Sequence, residues 1–145
     1  MTKPVHILLV EDNPGDVDLT RRALNGANLA ISLHIVQDGV EALEFLYQRG
    51  KYTNAQQPDL ILLDLNLPKK DGREVLQEIK THPVLKRIPV IVLTTSQADE
   101  DILHAYDLHA NSYITKPVSF PTFMETMRKF HDYWSRSKIC RIRIK

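Results

Sequence analysis

Short apolar runs of β character alternate five times along the chain with longer stretches in which apolar residues recur every three or four positions. The strand-like runs fall at residues 6–10, 31–36, 59–63, 89–93 and 112–115. The first, third and fourth are almost continuously apolar, the pattern of strands covered on both faces by helices. In the second, Ile31, Leu33 and Ile35 alternate with Ser32 and His34, which suits an edge strand.

The intervening stretches carry helix signals. Asn13-Pro14 supplies a capping residue and a first-turn proline for a helix running to about Gly26. Residues 39–49 place Val40, Leu43 and Leu46 on one face, and residues 72–81 do the same with Val75, Leu76 and Ile79 before His82-Pro83 ends the pattern. Ser96 and Asp99 form a capping-box-like start for a fourth helix reaching Leu108, with Ile102 and Tyr106 turned inward. Phe120, Phe123, Met124, Met127, Phe130 and Trp134 then form a stripe that reads as core packing and not as a cofactor box. Strict alternation of strand and helix predicts an α/β fold, a five-stranded parallel sheet doubly wound as (βα)5 with right-handed crossovers. In such sheets ligands bind at the carboxyl ends of the strands.

Composition narrows the class. At 145 residues, 43% apolar and 26% charged, the chain is expected to form one globular domain and not a disordered, collagenous or disulfide-stapled protein. The single cysteine, Cys140, allows neither an internal disulfide nor a cysteine-based zinc site, and it suits a reducing, cytoplasmic compartment. The longest apolar runs, such as residues 60–63 and 90–93, have four residues, so no membrane span is expected, and Met1-Thr2-Lys3-Pro4 does not read as a secretory signal.

The 19 basic and 18 acidic residues nearly balance, but Arg136, Lys138, Arg141, Arg143 and Lys145 crowd into the last ten positions. Residues 1–135 therefore hold 14 bases against 18 acids, a net charge of −4 that disfavours general nucleic-acid binding. Residues 1–135 are expected to be the domain and residues 136–145 a basic tail. From Arg141 the tail alternates basic and apolar residues, so it reads either as a frayed end or as a strand-like segment docking on a partner subunit or an acidic partner surface.

The candidate chemistry gathers at the predicted strand ends. Glu11-Asp12 follows the first strand and Asp64 the third; Thr94 ends the fourth, and the fifth delivers Lys116. Clustered carboxylates repel one another and call for a cation. Lys116 supplies one charge, and Mg²⁺, a hard ion held by carboxylates, is the natural second. An Asp carboxylate can also attack phosphorus, with lysine, threonine and metal stabilising the phosphoryl oxygens. Taken singly, Asp12 reads equally as a helix cap or solvated strand-end charge, Asp71-Gly72 more readily as a turn, Thr94 as a cap and Lys116 as a surface lysine; the set is more specific than its members.

The segments 10–13, 62–68 with Asp71-Gly72, 93–96 and 113–117 resemble the receiver domain of bacterial two-component response regulators over about residues 5–134. Spacings of 30 residues from Asp64 to Thr94 and 22 from Thr94 to Lys116 fit that family. The resemblance implies a flavodoxin-like receiver fold, phosphorylation of Asp64 from a histidine kinase phosphohistidine, and Mg²⁺ held by Glu11, Asp12, Asp64 and the backbone carbonyl of Asn66. It further implies Thr94 and Lys116 as partners of the phosphoryl group, Tyr113 as the aromatic switch, and a cis Lys116-Pro117 bond. Two departures are Thr95, where receivers often carry alanine or glycine, and Glu11 as the first acid of the pair.

Segments 65–76, 86–89 and 107–111, with Tyr133-Trp134 and the long 48–58 connection, are similar to stand-alone regulators partnered with phytochrome histidine kinases. That similarity implies a phytochrome-type sensor kinase as partner and a homodimer through the face of the fourth helix, fifth strand and fifth helix. About ten residues follow the last helix, so no DNA-binding domain is expected. The protein is then a signalling phosphoacceptor that catalyses only its own phosphorylation and dephosphorylation.

The rival readings fit less well. A flavodoxin-like redox protein needs a phosphate loop where Glu11-Asp12 would repel phosphate, and an aspartyl phosphatase needs a second acid where Asn66 stands. A degenerate receiver acting only as a scaffold would not need the full acid, threonine and lysine set. His104 and His109, five apart, do not share a helical face.

Overall fold

The computed structural model describes residues 4–26, 30–95, 101 and 110–129. Five strands, β1 (Val5–Val10), β2 (Ile31–Val36), β3 (Leu60–Asp64), β4 (Val90–Thr94) and β5 (Ser112–Thr115), pair in parallel in the order β2-β1-β3-β4-β5. Helices α1 (Pro14–Asn25), α2 (Gly39–Leu46) and α3 (Gly72–Thr81), with the helix Phe120–Lys129, cover the sheet. The order reverses beside β1, so the loops after β1 and β3 open side by side at the carboxyl rim.

Successive side chains of each strand point to opposite faces, which splits the core in two. Leu8, Val10, Ile61, Leu63, Val90 and Val92 pack with Leu43, Leu46, Val75, Leu76 and Ile79 of α2 and α3. Ile7, Leu9, Leu60, Leu62, Ile91 and Leu93 pack with Ala23 and Leu24 of α1 and with Phe123 and Met127. Each fully buried Leu or Ile contributes about 1.5–3 kcal/mol. The edge strand β2 keeps its predicted alternation, with Ile31, Leu33 and Ile35 half-buried between exposed Ser32 and His34.

Helix starts follow their caps. Asn13, Asp38 and Asp71 accept N–H bonds from Asp16, Glu41 and Arg73 at 3.0, 2.7 and 2.8 Å. Several expected boundaries move. β1 begins at Val5, and β3 and β4 each start and finish one residue later than expected, so Asp64 and Thr94 are the last residues of their strands. α2 stops at Leu46 and not at Arg49, because Gln48 turns left-handed (φ 56°) while Gln48 and Arg49 N–H groups bond back to Phe45 and Glu44 carbonyls at 3.1 and 2.9 Å. Val40, expected on the inward face of α2, is 43% exposed, and Ala42 and Phe45 fill that face instead. Phe120, expected in the core stripe, is 41% exposed beside Gly26, whereas Phe123 and Met127 are buried. The expected fourth helix lies outside the described residues except for Asp101, which is helical. Ile102, His104, Tyr106, His109, Phe130, Tyr133, Trp134, Cys140 and the tail also lie outside them.

Candidate functional site

The ladder itself delivers the acids. The Glu11 N–H extends β1 pairing to the Val36 carbonyl at 3.0 Å, so a fully buried Glu11 stands at the rim, with Asp12 exposed one residue on. Asp64 ends β3 beside it, 3% exposed, and its Oδ1 accepts the Asn66 N–H at 3.1 Å. The chain then doubles back so tightly that a β-carbon on Gly72 would stand 2.5 Å from the Asp64 carbonyl oxygen; glycine is required there. On the far side the Lys116 N–H donates to the Thr94 carbonyl at 2.7 Å, which carries the lysine across from β5. The Lys116-Pro117 bond is cis.

Lys116 is the hub. Its Nζ donates to Asp64 Oδ2 at 3.1 Å and to Asp16 Oδ2 at 3.0 Å, and forms an ion pair with Glu11 Oε1 at 2.7 Å that lacks hydrogen-bond alignment. Glu11, Asp12 and Asp64 bring one oxygen each within 4.8 Å of one another. Four carboxylates against one ammonium leave an excess of three negative charges when all are ionised. Burial, with Asp64 adding to it and Lys116 opposing it, pushes Glu11 up to about 7. Burial alone would lower Lys116, but its contact with the Glu11 carboxylate and its bonds to Asp16 and Asp64 outweigh that and raise it, so the ammonium stays charged.

Hard oxygen donors at this spacing, with an unaligned buried carboxylate oxygen on Glu11, fit a divalent cation. The structure thus gathers Glu11, Asp12, Asp64 and Lys116. It places Thr94, 2% exposed, at the end of the neighbouring strand, and Asn66 exposed just past Asp64. Half-buried Tyr113 packs against the α2 and α3 side of the core, with its hydroxyl accepting the Ala110 N–H at 3.3 Å. The sequence does not single out Asp16. It is an acid in the first turn of α1, where helix chemistry alone accounts for its residue type, and nothing local signals a contact with a lysine 100 positions away.

Parallel strands, a carboxylate rim and a lysine crossing from β5 define a phosphoacceptor-type α/β domain, and the chain belongs to the response regulator receiver domain family, whose profile matches residues 7–128. It is 48% identical over 131 residues to the response regulator Rcp1 of Synechocystis sp. (strain ATCC 27184 / PCC 6803 / Kazusa), covering 90% of this chain and 89% of that one. It also resembles the phosphorylated cyanobacterial phytochrome response regulator RcpA, with TM-score 0.77 and 50% identity over 94% of this chain and 98% of that one. The Mn²⁺-bound form of Rcp1 matches with TM-score 0.74 and 44% identity over 98% and 99% of the two chains. No helix among the described residues is long and apolar enough to cross a membrane.

Proposed function

We propose that this receiver accepts a phosphoryl group on Asp64 from the phosphohistidine of a sensor histidine kinase, and that a phytochrome-type kinase is the donor. The observation carrying this reading is the buried Asp64 carboxylate, held by Lys116 at 3.1 Å and flanked by Glu11 and Asp12. An Asp64 carboxylate oxygen forms the new P–O bond as the P–N bond to the donor histidine breaks. The Lys116 ammonium then follows the negative charge onto the phosphoryl oxygens. Glu11, Asp12, Asp64 and the Asn66 carbonyl would hold Mg²⁺, which would supply positive charge to offset the repulsion between carboxylates and incoming phosphate. Thr94 bonds the phosphoryl group, and Tyr113 follows into the space it leaves, altering the face around β5. That face is the site of homodimerisation and output. The likeness to RcpA, a cyanobacterial phytochrome response regulator, supports the choice of donor.

Incubating the protein with a small acyl phosphate and Mg²⁺, followed by intact mass, tests the acceptor. Wild type gains one phosphate; labelling that persists in Asp64→Asn would place the acceptor elsewhere. Thr94→Ala is expected to accept phosphate yet lose its phosphorylation-dependent gain in partner affinity. Sedimentation with and without phosphorylation tests the dimer, and a species that stays monomeric under both conditions would remove it.

A further inference from the structure

We infer that Asp16 is a positioning residue for phosphoryl transfer, holding the Lys116 ammonium at Asp64 while the other carboxylates serve the cation. The inference rests on the acceptor reading above.

Asp16 stands at the third position of α1, where an acid ordinarily turns back to bond the capping residue's N–H. Here that N–H, of Asn13, points to Glu11 Oε2 at 3.3 Å, and the Asp16 carboxylate reaches across the rim to Lys116 Nζ at 3.0 Å. Its own N–H donates to the Asn13 side chain at 3.0 Å, which fixes the backbone that carries it. Asp16 is not among the three acids whose oxygens gather for a cation. Glu11 and Asp64 would share their oxygens between Lys116 and a cation, whereas Asp16 would remain a carboxylate for the ammonium alone. An ammonium has three donors, so one can stay on Asp16 while another passes from Asp64 to a phosphoryl oxygen. Lys116 has a long, flexible stem, and a second anchor removes rotamer freedom that would otherwise be lost during the reaction.

The test is a cycle of single and double variants, labelled with a small acyl phosphate at saturating Mg²⁺. Asp16→Ala is expected to lower the labelling rate constant about tenfold in wild type, and by less than about twofold in a Lys116→Ala background. Asp16→Asn, which keeps an oxygen acceptor and the helix start, is expected to lose less than Asp16→Ala. Equal losses in both backgrounds, or no loss in wild type, would overturn the inference. The ¹⁵Nζ resonance of Lys116 supplies a readout independent of labelling. It should shift and exchange faster with water in Asp16→Ala, and an unchanged resonance would equally overturn the inference. Wild type that takes no phosphate at all, while this resonance responds, would remove the acceptor reading and leave the Asp16–Lys116 coupling in place.

Discussion

Two polar regions of the molecule use charge differently. At the carboxyl rim, acids from three separate chain segments meet one lysine with charge left over. A cavity of about 670 Å³ opens over β1 and β2, lined among others by His6, His34, Glu41, Phe45, Lys51 and Tyr52. Its polar groups are used locally. The Tyr52 hydroxyl donates to Glu41 at 2.9 Å, Lys51 Nζ lies 5.2 Å from the Tyr52 ring centre, and the His34, Phe45 and Tyr52 rings contact one another. Burial raises an acid in both places, with different results. Glu11 moves up to about 7, where a cation can keep it ionised, while Tyr52 moves up to about 12, further from titration. Excess buried charge, more than concavity or polarity, separates a site prepared for chemistry from a packed surface feature.

The widest separation is expected from paired substitutions. Asp64→Asn should reduce labelling by a small phosphodonor to background, whereas Tyr52→Phe should leave it at the wild-type level. Labelling that depends on Tyr52 would erase the distinction between the two regions.

In stability the order reverses. Phe45 is 5% exposed and its ring lies 4.5 Å from His34 and 5.1 Å from Tyr52, so Phe45→Ala should cost about 3–5 kcal/mol in urea unfolding. The folded fraction of that variant should still take phosphate at Asp64 with the wild-type rate constant.

The two regions also differ in how far the sequence discloses them. Glu11, Asp12, Asp64, Thr94 and Lys116 are legible because each stands at or within two residues of the end of a strand-like run, and the parallel alternation brings those run ends to one rim. Asp16 is not legible: its position says only that a helix begins, and its partner lies in another element. The cavity is illegible for a related reason. It is roofed by the 48–58 connection, whose path depends on left-handed Gln48 and Gly50; Gly50 marks a turn, but nothing local announces a left-handed glutamine two residues before it. Val40 and Phe120 fail as core residues because periodicity gives a helix face, whereas burial depends on where the neighbouring element ends.

Glu11 makes the rim's excess charge measurable as a pH dependence. Its folded value, raised from 4.5 to about 7, means that the folded metal-free protein favours the protonated acid. That contribution is complete below pH 4.5 and disappears as pH rises through about 7, so metal-free stability should decline over this window. The interval caps the effect at about 3 kcal/mol. Mg²⁺ should restore stability at the upper end by binding the ionised form. Glu11→Gln should flatten the decline and reduce the Mg²⁺ gain; an unchanged slope would assign it to other groups.

The smallest effect belongs to Tyr52. Its hydroxyl bond to Glu41, 2.9 Å long, should be worth about 1 kcal/mol near neutral pH, read as the difference in urea stability between wild type and Tyr52→Phe. The difference should also depend on pH in a defined direction. Burial first, then the Glu41 carboxylate, hold the folded phenol protonated to about 12 against 10.0 for a free tyrosine. The raised value contributes stability that is complete below pH 10.0 and is lost as pH climbs toward about 12, because the unfolded phenol ionises first. Phenylalanine has no such proton. Between pH 10 and about 12 the wild-type advantage should therefore shrink, with the other tyrosines contributing equally to both proteins. An advantage constant across that range would mean that the ring's contacts, and not its hydroxyl's bond to Glu41, close this side of the cavity.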